Sequence, residues 1–124
     1  MRLALVAAVA AALIATGVAA GGPKDPTRVQ VSAREFSFTL SRSSFKAGEV
    51  IIEVVNFGMD PHDLKIRRMN NAGTVIGGTG VVAAGNRGQV DIKLGTGRYE
   101  LYCTIANHES LGMRAYLQVE RNSP

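Results

Sequence analysis

The 124-residue chain is poor in several residue types, and each shortage excludes a class of protein. It has one cysteine, so no disulfide can form within the chain. Its 14 basic residues exceed its 10 acidic ones only modestly and form no run, which argues against a nucleic-acid interface. No long stretch has apolar residues at the three- and four-residue spacing of an amphipathic helix, which argues against a helical domain. At this length, we expect one domain.

The N-terminal segment has the composition of an export signal. Met1 and Arg2 supply a positive start, 3–14 is an uninterrupted apolar run, and 18–20 offers the small residues that a signal peptidase reads. This predicts a signal peptide at 1–20, a flexible leader at 21–27, a domain at 28–124, and a periplasmic or secreted location. The alternative is an uncleaved membrane anchor, because an apolar stretch of roughly 18 residues is at the lower limit of a span.

The rest of the chain is dominated by short stretches in which apolar and polar residues alternate, as in strands with one buried face. The alternating stretches are 29–40, 64–66, 89–94, 99–103 and 115–119, and 50–55 is a continuous β-branched run. The phase of alternation slips near Arg34 and Glu35, which indicates a bulge or bend. The glycine-rich segment 70–88 predicts irregular structure, with which a small helical turn between 69 and 85 would be compatible. Together these patterns predict an all-β antiparallel sandwich of seven to eight strands.

One loop carries most of the unusual side-chain chemistry. Cys103, His108 and Met113 follow one another with four residues in each gap, just after a predicted strand. Thiolate and thioether are soft ligands that hold Cu(I), whereas imidazole binds both oxidation states of copper. The second histidine, His62, lies in a loop-like segment between two apolar stretches. Two histidines, one cysteine and a weakly bound methionine form the ligand set of a type 1 copper site.

Other assignments of these residues remain open on the sequence alone. Met59 or Met69 could replace Met113 as the axial ligand, although neither lies in the cysteine loop. A ferrous site could use the two histidines with Asp63 or Glu109, but it would leave the cysteine unexplained. Taken singly, a buried cysteine or methionine is most often a core residue.

The segment from Val29 to Glu120 resembles the cupredoxins, the family that includes plastocyanin, azurin and amicyanin. The resemblance rests on the cysteine, histidine and methionine loop, on the strands before and after it, and on the segment 56–62, in which an Asn precedes the histidine by six residues. It implies a Greek-key β-sandwich that binds one type 1 copper ion. The metal ligands that it implies are His62, Cys103, His108 and Met113.

The resemblance also assigns roles to residues around the metal. Asn56, or Asp63 where the family often has Asn, is expected to tie the two ligand loops together. A negative charge beside a ligand favours Cu(II), so we also expect Asp63 to lower the reduction potential. The resemblance implies that redox partner proteins dock transiently near His108, against Met59 and Leu111.

The expected function is therefore that of an exported, monomeric electron carrier that cycles between Cu(II) and Cu(I). A copper carrier or storage module without an electron-transfer role, and a metal-free β-sandwich interaction domain, are the alternatives. We expect no enzyme activity and no small-molecule substrate, because oxygen-reducing copper centres need more than two histidines and a zinc hydrolase has little use for a methionine ligand.

Overall fold

The computed structural model describes Gly17 and residues 24–124. Apart from Gly17, the predicted signal peptide at 1–20 lies outside the described residues, as does the leader up to residue 23. Among the residues that are described, no helix has the length and apolar character needed to cross a membrane.

The described part of the chain folds into nine strands arranged in two sheets. The strands are β1 (Thr27–Arg34), β2 (Ser37–Leu40), β3 (Ser44–Lys46), β4 (Gly48–Asn56), β5 (Lys65–Arg68), β6 (Asn71–Gly78), β7 (Arg87–Leu94), β8 (Gly97–Tyr102) and β9 (Arg114–Glu120). One sheet has the order β2-β1-β4-β7, and the other has the order β3-β9-β8-β5-β6. The predicted all-β sandwich is confirmed, with nine strands in place of seven or eight.

Most neighbouring strands run antiparallel, as predicted, but each sheet also contains one parallel pair. β1 pairs with β4 over seven residues in parallel, and β3 pairs with β9 over three. Both sheets are therefore mixed. Parallel partners must be joined through a crossover rather than a tight turn, and β2 and β3 lie in the connection between β1 and β4.

The core forms because alternate residues of the strands point inward from both sheets. Val29, Val31 and Ala33 of β1 belong to one buried cluster with Tyr99 and Leu101 of β8. β4 alternates in the same way along most of its length, but its last three residues, 54–56, are all buried. The end of β4 thus enters the interior where the loop to His62 begins.

Two local predictions were wrong, for different reasons. The phase slip at Arg34 and Glu35 is a tight hairpin turn between β1 and β2, in which Arg34 pairs with Ser37. The segment expected to be irregular contains β6, an edge strand whose residues are exposed along most of its length. An exposed edge strand buries neither face, so it has no apolar alternation by which a sequence pattern could reveal it.

Candidate metal centre

Three predicted ligands converge at one end of the sandwich. His62 lies in the loop after β4, Cys103 follows β8 directly, and His108 lies in the loop between β8 and β9. His62 Nδ1 is 3.2 Å from His108 Nδ1, and Cys103 Sγ is 3.6 Å from the same His108 nitrogen. One ligand atom from each residue lies within 4.8 Å of the other two, and all three residues are buried.

The loop that carries Cys103 and His108 is closed by its own backbone. The Cys103 amide donates to the Met113 carbonyl at 3.2 Å, and the Met113 amide donates to the His108 carbonyl at 3.0 Å. Gly112, with φ of 106°, adopts a conformation that side-chain-bearing residues avoid, so the turn before β9 depends on glycine. These contacts place the backbones of all three residues beside one another.

Met113 is fully buried and packs in the same core cluster as Cys103. The alternative axial candidates are in a different environment, because Met59 is 86% exposed and Met69 is 40% exposed. Burial beside the cysteine therefore favours Met113 among the three. Its role as a metal ligand stays a prediction.

The distances between donor atoms fit a single metal ion. Bonds of about 2.0 Å to nitrogen and 2.3 Å to sulfur, at angles between tetrahedral and trigonal, separate the ligand atoms by roughly 3.3 to 3.8 Å. Two of the three separations, 3.2 and 3.6 Å, lie at or close to that range, and the third, between His62 and Cys103, is at most 4.8 Å. Two imidazoles and one thiolate at such distances form a soft-to-borderline donor set of the kind that copper prefers.

The protonation of Cys103 depends on its surroundings. Burial raises the pKa of the Cys103 thiol, and hydrogen bonds from the backbone N–H groups of Asp63 and Ile105 oppose that rise only in part. A free thiol here stays protonated at neutral pH. A bound cation would supply the positive charge that makes the thiolate stable.

Asp63, predicted to tie the ligand loops together, does join the two chain segments. Its Oδ1 accepts a hydrogen bond from the Thr104 backbone amide at 2.6 Å, and its Oδ2 accepts one from the Thr104 hydroxyl. Thr104 follows Cys103 directly, and Asp63 follows His62. The carboxylate therefore fixes the cysteine position relative to that of the first histidine.

Asn56 joins other segments. Its Nδ2 donates to the carbonyl of Asp60 at 2.8 Å and to that of Val82 at 2.9 Å, while its Oδ1 accepts from the Gly58 amide. Val82 in turn forms an isolated β-bridge with His62. Asn56 therefore organises the first-histidine loop and the segment that backs it, and its hydrogen bonds do not extend to the cysteine loop.

Two residues at the centre were not identified from the sequence. Glu35 Oε1 lies 3.1 Å from His62 Nε2, and the ring of Phe36 packs against that of His108 with centroids 4.7 Å apart. The hydrogen bond from the Asp60 backbone amide is the main cause that lowers the pKa of the Glu35 carboxyl to about 2. Burial opposes it, and the hydrogen bonds from the Met59 amide and from His62 lower the pKa further. A charged residue in a turn gives no sequence signal of such a contact.

Exposed apolar side chains lie on the loops around the centre. Met59 and Phe57 belong to the first-histidine loop, and Leu111 belongs to the loop that carries His108. Val81 is exposed next to Val82, the bridge partner of His62. The two predicted docking residues, Met59 and Leu111, are thus accessible, whereas His108 itself is almost completely covered.

Comparisons with known proteins agree with this architecture. No family model matches the sequence, and no curated protein matches it significantly. Among solved structures, the chain is similar to a dithionite-reduced auracyanin from the photosynthetic bacterium Roseiflexus castenholzii, with a TM-score of 0.63 and 16% identity, covering 78% of this chain and 99% of that one.

The chain is also similar to auracyanin A, described as a "blue" copper protein from Chloroflexus aurantiacus, with a TM-score of 0.66 and 17% identity over 77% of this chain and 100% of that one. Auracyanin B gives a TM-score of 0.64 and 21% identity over 78% and 91% of the two chains. These likenesses confirm the cupredoxin-like fold.

Proposed function

We propose that this protein is an exported type 1 copper protein that carries single electrons between redox partners. In this proposal, His62, Cys103 and His108 would hold the copper strongly, and Met113 would be the weak fourth ligand. The observation that carries it is the burial of one thiol and two imidazoles within 4.8 Å of one another at one end of the sandwich. The description of the similar auracyanin A as a "blue" copper protein supports the choice of metal.

Copper held by this donor set would supply one-electron exchange between Cu(II) and Cu(I). The protein's own contribution is to keep the ligand positions constant. Cys103 is fixed by the backbone hydrogen bond to Met113, by the bonds from Thr104 to Asp63, and by the end of β8. Ligands held on both sides by a rigid framework move little when the charge changes, and small movement favours fast electron transfer.

The exposed rim offers a surface for brief contacts with redox partners. Met59 and Leu111 flank the loops of His62 and His108, and transient electron-transfer interfaces are small, so a few apolar side chains suffice. In this proposal the protein is a monomer that docks partners near His108, and the signal-like composition of 1–20 favours a place in the periplasm or outside the cell. The proposal includes no enzyme activity.

Burial of the donor atoms also favours electron transfer over copper delivery. A delivery protein must hand over its metal, which requires ligands that exchange readily with those of a partner. All three residues of this cluster are buried instead. This favours a resident copper ion over a transported one.

The test is a visible absorption spectrum of the purified protein with one equivalent of Cu(II), followed by ascorbate. We expect an intense thiolate-to-copper charge-transfer band that bleaches on reduction. Cys103→Ser is the matched control, because it replaces only the sulfur, and it should abolish the band. A colourless protein that still binds Cu(I) would contradict electron transfer and support the carrier function, and a protein that binds no copper would contradict both.

A further inference from the structure

The turn between β1 and β2 reaches into the metal centre from a part of the chain that contains none of the predicted ligands. Its first residue, Glu35, contacts His62, and its second, Phe36, packs against the ring of His108. The turn therefore touches both histidines. The centre is surrounded by three connections, of which two carry the predicted ligands and the third carries a carboxylate and an aromatic ring.

One carboxylate oxygen of Glu35 makes three polar contacts. Oε1 lies 3.1 Å from His62 Nε2, and it accepts hydrogen bonds from the backbone amides of Met59 at 2.8 Å and Asp60 at 2.7 Å. The same atom thus holds the imidazole and the backbone of the loop that carries it. A single carboxylate fixes both the ring and the path of the chain leading to it.

This contact selects one tautomer of His62. An ionised carboxylate can only accept, so Nε2 must carry the hydrogen. Nδ1 is then left with a free lone pair, and Nδ1 is the atom that lies 3.2 Å from His108 Nδ1 within the cluster. Carboxylates that accept from the outer nitrogen of a histidine commonly orient metal ligands in this way and raise their basicity.

Gly58 makes room for the carboxylate. A Cβ at Gly58 would overlap the Glu35 carboxylate, with both carboxylate oxygens and the carbon inside contact distance. The φ of Gly58 is not positive, so the backbone itself would accept alanine. The atoms in the way are the end of a flexible side chain, so Gly58→Ala would push the carboxylate aside and leave its charge in place.

We propose that Glu35 is a positioning residue that holds His62 in its Nε2-protonated form with Nδ1 directed at the metal, and that Gly58 provides the space for this contact. The negative charge beside a ligand also favours Cu(II) over Cu(I). The effect of the charge on copper rests on the copper function proposed above, whereas the positioning of His62 by Glu35 concerns the metal-free protein as well.

The first experiment records the ¹H–¹⁵N correlations of the histidine rings by NMR in the metal-free protein. We expect His62 to carry its hydrogen on Nε2 in the wild type. Glu35→Leu and Gly58→Ala should both lose that preference, the first by removing the acceptor and the second by displacing it. Glu53→Gln, which removes a partly exposed carboxylate that pairs with Arg87, is the charge control and should leave the tautomer unchanged.

Affinity for Zn²⁺, measured by competition with a chelator, provides a second readout that requires no redox activity. Loss of an outer contact to a ligand histidine lowers metal affinity by about 10- to 100-fold, and we expect that loss in Glu35→Leu and Gly58→Ala. Circular dichroism confirms that each variant is folded. An unchanged tautomer in both variants, with affinity within twofold of the wild type, would overturn the positioning role.

Glu35→Gln isolates the charge, because the amide oxygen can still accept from Nε2. In the copper-loaded variant, we expect the ratio of Cu(II) to Cu(I) at a fixed potential to fall about tenfold, which is 59 mV for one electron. An unchanged ratio would refute the electrostatic part. If the wild type shows no charge-transfer band but the tautomer still depends on Glu35, the copper function fails and the positioning role is supported.

Discussion

The ion-pair network on the outer face of the five-stranded sheet should contribute strongly to stability. Arg67 Nη2 of β5 lies 3.0 Å from Glu100 Oε2 of β8 and 2.6 Å from Glu109 Oε1 of the histidine loop. Its guanidinium carbon stacks 3.9 Å from the centroid of the Tyr102 ring. The Arg67 and Glu100 side chains are only 17% and 8% exposed. The network therefore binds Glu109, the residue after His108, to the sheet through largely buried side chains.

Replacing Arg67 by methionine keeps the apolar stem and removes the charge. Glu100 would then be buried with one charge partner left, Arg114, whose Nη1 is 3.7 Å away. Glu100 Oε1 already lacks a hydrogen bond. Breaking a buried ion pair by removing one partner costs about 3–5 kcal/mol, and the partial exposure of Arg67 places the loss near the lower end, at about 3 kcal/mol. For a domain of this size, that corresponds to a fall of roughly 12 °C in Tm.

The assay is urea unfolding of the metal-free protein, followed by circular dichroism. Arg87→Met is the matched control, because Arg87 pairs with Glu53 at 3.4 Å but the two side chains are 67% and 34% exposed. An exposed pair contributes about 1 kcal/mol or less. If Arg67→Met destabilises the protein no more than Arg87→Met does, the buried network has no special role in stability and this reasoning is refuted.

Two further predictions concern single carboxylates. Asp63→Asn can still accept the hydrogen bond from the Thr104 amide, and its NH2 group can donate to the Thr104 hydroxyl oxygen, while a charge near the metal is removed. The reduction potential should therefore rise by tens of millivolts, the scale of about 1 kcal/mol per electron, and voltammetry that shows no shift would contradict this. Hydrogen bonds from Lys46 and Ser44 lower the pKa of Glu120 in the folded protein. The ionised carboxylate therefore stabilises the fold at pH values above its unfolded pKa near 4.5, and this stabilisation is lost as the pH falls through the lower folded pKa. The difference in urea midpoint between wild type and Glu120→Gln should therefore shrink as the pH falls below about 4.5. A difference that stays constant with pH would contradict a stabilising interaction between the Glu120 carboxylate of β9 and Ser44 and Lys46 of β3.

The sequence predicts the sandwich because most strands bury one face. Alternation marks β1, β7, β8 and β9, and it also sets the direction of Cys103, which continues the inward phase of Tyr99 and Leu101. The same reasoning fails for β6, which is exposed along most of its length. Period-2 patterns report burial and not hydrogen bonding, so a solvent-facing edge strand is invisible to them.

The three clustered ligand candidates could be predicted because their residue types are rare in this chain and chemically specific. A lone cysteine and two histidines narrow the choice before any geometry is known. Asp63 could be named because it adjoins a histidine, although the sequence left open whether it or Asn56 would reach the cysteine loop. In the structure, Asp63 accepts a hydrogen bond from Thr104, the residue after Cys103.

Glu35 differs from these residues because its importance comes entirely from contacts across the fold. Glutamate in a turn is ordinarily solvated, and 27 residues separate it from His62. Its position follows from the pairing of β1 with β4, which runs in parallel and brings the end of β1 beside the end of β4, where Ala33 is opposite Asn56. The turn after β1 and the histidine loop after β4 must then leave the sheet at the same end of these two strands. The parallel pairing is thus the feature of the fold that gives this centre its carboxylate.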